Sequence, residues 1–164
     1  MKRYINAAVA GVFDEEPEVR EKVAKDPRTP VDVLSKLAED DSCYVRSYVA
    51  ENPNTPVDIL KELACDPSQG VRGSVAMNPN ATDLILKVLT SDWDSWVRQM
   101  AVRYVRDTDI LAQLAENEDP DIRYNVAYNL NTPLDILLRL QYDEDEDTRL
   151  QASSALRDLG YTGD

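Results

Sequence analysis

One dipeptide returns along this chain at an almost fixed interval. Val19-Arg20, Val45-Arg46, Val71-Arg72, Val97-Arg98, Ile122-Arg123 and Thr148-Arg149 follow one another at steps of 26, 26, 26, 25 and 26 residues. A second pattern runs between them: Val33-Leu34, Ile59-Leu60, Ile85-Leu86, Ile110-Leu111 and Ile136-Leu137, each followed by a leucine three places on, at Leu37, Leu63, Leu89, Leu114 and Leu140. A unit this short cannot bury its own apolar stripe. Neighbouring units must stack, so that the core runs through the whole array.

The spacing assigns each half of the unit to a helix. Ile59, Leu60, Leu63 and Ala64 fall on one stripe of a 3.6-residue turn. The start is marked by Thr55-Pro56-Val57-Asp58, and again by Thr29-Pro30-Val31-Asp32 and Thr132-Pro133-Leu134-Asp135. The expectation is that Thr supplies the N-cap oxygen, Pro takes the first helical position and Asp faces the positive helix end. The third repeat varies this as Asn80-Ala81-Thr82-Asp83, and the fourth, one residue shorter, leaves Asp107 as the cap. The second half begins at the Val-Arg pair, with apolar pairs such as Val45 and Val49, and stops at Asn52-Pro53 or Asn78-Pro79. The pattern predicts a longer α-helix, a tight loop and a short α- or 3₁₀-helix per repeat, in an all-α solenoid of two-helix units of about 26 residues.

The whole chain, 1–164, then reads as a single repeat domain. Residues 1–18 form an N-terminal cap, the repeats are 19–44, 45–70, 71–96, 97–121 and 122–147, and 148–164 form a C-terminal cap. Met1-Lys2-Arg3 and the apolar stretch to Phe13 resemble a short signal peptide, but the repeat register uses them as half a unit.

The string from Val45-Arg46 through Ala50-Glu51-Asn52-Pro53-Asn54-Thr55-Pro56 to Leu60 and Leu63-Ala64 resembles the leucine-rich repeat variant family, a HEAT-like group of solenoids. The resemblance implies a right-handed superhelix. One member of that family holds an iron–sulfur centre in an N-terminal cysteine cluster; residues 1–42 here contain no cysteine, so the resemblance carries the fold and no cofactor.

Charge and composition narrow the function. Against 18 Lys and Arg stand 31 Asp and Glu, a net charge of −13, which repels nucleic-acid phosphates and anionic membranes and attracts basic partners. Histidine is absent, and with it the commonest general base and zinc ligand. The two cysteines, Cys43 and Cys65, form no cluster and suit a reducing cytoplasm. No catalytic or phosphate-binding motif occurs, so the expectation is a binding protein with no catalytic residue, metal or small-molecule substrate. The acidic run Asp143–Asp147 lacks the glycine and terminal glutamate of a calcium loop and reads as solvated.

Two sets of residues stand out. The arginines Arg20, Arg46, Arg72, Arg98, Arg123 and Arg149 recur in every unit, six places after Asp14, Asp40, Asp66, Asp92, Asn117 and Asp143 respectively. They read as a structural ladder rather than a phosphate-binding row. On the Val-Arg helices, the third, fourth and seventh positions are expected to face solvent. In the middle units these are Ser47, Tyr48, Glu51; Gly73, Ser74, Met77; Gln99, Met100, Arg103; and Tyr124, Asn125, Tyr128. Tyr44, Tyr48, Met77, Trp96, Met100, Tyr124 and Tyr128 are therefore candidate partner-binding residues, with the alternative that the aromatics fill gaps between repeats. The functional expectation is a scaffold that binds a basic protein through this face. The alternative is an acidic DNA mimic that inhibits a nucleic-acid-binding protein.

Overall fold

The computed structural model describes residues 15–161. Among them the chain forms eleven α-helices and no strand. The Val-Arg helices are α1 (Pro17–Lys25), α3 (Cys43–Glu51), α5 (Gln69–Met77), α7 (Ser95–Tyr104), α9 (Pro120–Tyr128) and α11 (Glu146–Asp158). Between them lie α2 (Val31–Leu37), α4 (Val57–Leu63), α6 (Asp83–Leu89), α8 (Thr108–Leu114) and α10 (Leu134–Leu140). The chain is an all-α solenoid of two-helix repeats and divides into two compact units between Ile85 and Leu86. The proposed N-terminal cap lies outside the described residues except for 15–18, where Pro17 already opens α1.

The lengths of the two helices are the reverse of the expected order. The Val-Arg helices are ordinary α-helices of nine residues or more, and the Thr-Pro helices have seven. No 3₁₀ segment occurs among the described residues. The reason lies upstream of the Val-Arg pair. Asp40 and Asp66 accept hydrogen bonds at Oδ1 from the backbone N–H of Ser42 (2.9 Å) and Ser68 (2.8 Å), which lets each helix begin two residues before the valine.

The threonines also do something other than cap. Pro56, in extended geometry (φ −74°, ψ 159°), is the N-cap of α4, and its carbonyl accepts the first helical bond from Leu60 N–H. Thr55 Oγ1 instead donates backward to the Val49 carbonyl at 2.6 Å, a second donor there beside the Asn52 N–H that closes α3. Thr29 on Val23 and Thr132 on Val126 repeat this bond at the same length. Where the proline is missing, a side chain caps: Asp107, as expected, accepts from the N–H groups of Asp109 and Ile110, and Thr82, at the proline position, accepts from that of Ile85.

In the first unit α3 packs between α1 and α5; in the second α9 packs between α7 and α11. Each pair encloses the valines of the Val-Arg helices, such as Val45, Val49, Val71 and Val126, all with no exposed surface. Leu34, Leu60, Leu111 and Leu137 seal the same core from the other helix of each repeat. Each such side chain contributes about 1.5–3 kcal/mol on burial. Asparagine closes the seams. Asn52 Nδ2 donates to the carbonyls of Ala24 (2.6 Å) and Asp26 (2.9 Å) in the preceding repeat. Asn78 does the same to Ala50 and Asn52, and Asn129 to Val102 and Val105. The last described helix closes on a glycine: Gly160, at φ 79°, donates to the Arg157 carbonyl and Tyr161 to that of Leu156.

Candidate protein-recognition face

The face rests on the arginine row. In the first unit the Arg46 guanidinium bonds Asp66 of the next repeat through two parallel contacts and donates from Nη1 to the Asp40 carbonyl of its own repeat. Arg20 reaches Asp40 in the same way, from Nε at 2.6 Å. In the second unit Arg123 holds Asp143 at 2.8 Å from both Nε and Nη2. The short fourth repeat puts Asn117 where an aspartate is expected, and Arg98 pairs with Asp119 at 3.2 Å instead. Arg72 is fully buried and donates to the carbonyls of Asp66 and Pro67. Arg149 donates to those of Asp143 and Glu144.

These pairs set the local ionisation. Burial pushes the Asp40 carboxyl up, but the Arg20 guanidinium and the Ser42 N–H outweigh it and hold the group below the usual carboxylate range. Asp143 is held low chiefly by its bonds to Arg123. Arg46 and Arg123 are pushed up by the matching bonds to Asp66 and Asp143.

The outward positions are less open than the periodicity suggested. Gly73, Ser74 and Asn125 are buried, and the fourth-position residues Ser74 and Asn125 meet the preceding Val-Arg helix. Seventh-position side chains reach across to that fourth position. Lys25 Nζ sits 3.7 Å from the centroid of the Tyr48 ring, Glu51 accepts from Ser74 Oγ at 3.0 Å, and Arg103 Nε donates to Asn125 Oδ1 at 2.7 Å. The half-buried Tyr48 is thus covered by a cation from its own chain.

The remaining candidates are accessible. In the first unit Tyr44 is 67% exposed and Met77 lies at the surface. In the second, Trp96 and Tyr128 are exposed, and Met100 and Tyr124 are half-buried. Met100 and Tyr128 meet in a concavity of 420 Å³ that also takes in Tyr104 and Leu130. Tyr124 lines an adjoining one of 400 Å³ with Asp121, Asp145 and Asp147. Arg103 stands in the wall of both, its guanidinium 4.6 Å from the Tyr128 ring centroid. Trp96 lines neither of these two concavities.

Two residues of this surface went unnoticed in the sequence. Leu130 is 99% exposed and Tyr104 is 40% exposed. Both stand where the repeat consensus breaks. Asn129-Leu130-Asn131-Thr132 replaces the Asn-Pro-Asn-Thr of 52–55, and Tyr104 occupies the seam-asparagine position of the fourth repeat. An apolar residue at a consensus proline was the available signal.

A tandem helical repeat is a fold typical of protein-interaction scaffolds. A family model for the leucine rich repeat variant matches residues 45–68. None of the curated proteins matches the sequence. Among solved structures, one described as a leucine-rich repeat variant with a novel repetitive protein structural motif is 28% identical, with a TM-score of 0.70 over 92% of this chain. The chain spans 60% of the length of that protein. An engineered protein shares the fold alone, at 16% identity and a TM-score of 0.53 over 96% of each chain. The chain resembles leucine-rich repeat variant proteins both in the matched repeat and in its fold.

Proposed function

We propose that this protein is a non-catalytic scaffold of the cytoplasm that binds a basic protein through the outward face of its Val-Arg helices. The observation that carries this reading is the pair of adjoining concavities in the second unit. One is walled by Met100, Tyr104, Tyr128 and Leu130, the other by Tyr124 with Asp121, Asp145 and Asp147. Apolar anchors beside carboxylates suit a partner that presents an aliphatic or aromatic side chain next to Lys or Arg. Tyr44, Tyr48 and Met77 extend the same use to the first unit, and Trp96 to the second. The net charge of −13 steers such a partner into place and raises its association rate.

The test is affinity capture from a lysate of the source cells at low and high salt, repeated with Tyr128→Ala. A partner retained at high salt and lost with the variant supports the reading. A nucleic-acid-binding protein retained only at low salt overturns it in favour of DNA mimicry, because contacts that replace phosphates are screened by salt.

A further inference from the structure

At three seams the structure repeats one contact. An asparagine at the end of a Val-Arg helix lays its side-chain amide on two carbonyls of the preceding repeat, and the asparagine two places later lays its own on a nearby carbonyl. Asn52 takes Ala24 and Asp26, with Asn54 on Thr29. Asn78 takes Ala50 and Asn52, with Asn80 on Pro53 and Thr55. Asn129 takes Val102 and Val105, with Asn131 on Val105.

The last seam, between α9 and α11, departs from this rule. The register places Ala155 where Asn52, Asn78 and Asn129 stand, and α11 runs on as helix to Asp158 without turning into a loop. The carbonyls corresponding to Ala24, Asp26 and Thr29 belong to Ala127, Asn129 and Thr132. All three residues line an open, largely apolar concavity of 460 Å³, closed on the far side by Gln151, Ala155 and Leu159. Ala127 is 1% exposed, and among the described residues no hydrogen bond reaches its carbonyl. A buried acceptor left without a donor is uncommon and unfavourable, and a donor of the right shape recovers that cost.

We propose that this concavity is a binding groove for an extended segment of a partner protein carrying an Asn-Xaa-Asn pair. The first asparagine amide donates to the Ala127 and Asn129 carbonyls, as Asn52 donates to Ala24 and Asp26. The second donates to that of Thr132. The intervening residue packs on Leu130. A second copy of this chain is a poorer occupant, since Asn52, Asn78 and Asn129 are already engaged within their own stack. The inference concerns amide donors at the seam between α9 and α11 and does not depend on recognition of a basic partner.

The test is an NMR titration of the full ¹⁵N-labelled chain with a synthetic peptide of the sequence 52–63, blocked at both ends. Shift changes are expected to cluster at 127–132 and 151–159. A peptide with both asparagines replaced by leucine should bind about tenfold more weakly. Ala155→Trp, which fills the groove from its α11 wall, should abolish the shifts while the spectrum stays dispersed. The proposal is overturned if the groove amides do not respond, if the two peptides act alike, or if Ala155→Trp binds undiminished. Broadening of the same amides with protein concentration alone would place a second copy there and overturn the choice of occupant.

Discussion

Arg46 and Asp66 lie twenty residues apart in sequence and meet fork to fork. Nε donates to Oδ2 at 2.6 Å and Nη2 to Oδ1 at 3.0 Å, with 14% of the arginine side chain and 5% of the aspartate exposed. Asp66 also opens α5 through Ser68 N–H, so one carboxylate starts a helix and ties it to the previous repeat. Removing one partner leaves the other charge shielded and unpaired. Arg46→Met should therefore cost about 3 kcal/mol in urea unfolding. Arg46→Lys should recover little of it, because an ammonium cannot reproduce the parallel bonds. The double variant Arg46→Met with Asp66→Leu should be more stable than the sum of its parts. Strict additivity would show that the pair carries no coupling.

The same pairs fix the behaviour in acid. Asp40 and Asp143 have folded-state pKa values below their unfolded ones, near 3.9. Their contribution is therefore complete above that value and is lost as pH falls through the lower folded one. Stability should be level from neutral down to about pH 5 and fall steeply below about pH 4. Asp143→Asn should lower stability at neutral pH and flatten the acid limb. Parallel pH profiles for the wild type and this variant would mean that Asp143 does not titrate in the transition.

Asparagine at the seams makes a separate claim on stability. Asn78 is 2% exposed and donates to two carbonyls of the preceding repeat, so Asn78→Leu removes both bonds, strands the Ala50 carbonyl and should cost about 2 kcal/mol. Asn80→Ala, at an exposed position, should cost less than half as much. Chemical denaturation of the two variants side by side checks the order, and equal losses would contradict it.

How far the sequence spoke depended on whether a position answers to periodicity or to a partner in the next repeat. Ile59, Leu60 and Leu63 announced their burial by spacing alone, and the arginine and aspartate rows were visible as repeated letters. Thr55 misled, because its cap-like position before Pro56 hid a hydroxyl that turns back to Val49. Asn52 was legible only as a helix stop; its amide bonds to Ala24 and Asp26 depend on how tightly repeats stack, which a linear pattern does not contain. Gly73, Ser74 and Asn125 were assigned outward by helical phase, yet all three are buried, with Ser74 bonded to Glu51 and Asn125 to Arg103 of the preceding Val-Arg helix. In the site, Met100 and Tyr128 were legible as types, whereas their meeting with Tyr104 and Leu130 needed the lateral spacing of α7 and α9.

That lateral spacing also ranks the candidate anchors. Met100 and Tyr128 share a walled concavity, so truncating either removes contact area that a partner side chain can fully desolvate; each alanine variant should weaken binding by more than about 1 kcal/mol. Arg103 supports the Tyr128 ring from its own chain, so Arg103→Ala should weaken binding indirectly and leave the association rate less affected than dissociation. Asp147, exposed at the rim of the acidic concavity, should act the other way: Asp147→Asn should slow association and reduce the salt dependence. Trp96 is exposed but lines neither concavity, and Trp96→Ala should have the smallest effect of the aromatic series. Surface plasmon resonance with the captured partner separates the two rate constants. Unchanged binding for Trp96→Ala, Tyr124→Ala and Tyr128→Ala together would show that recognition uses a different face of the solenoid.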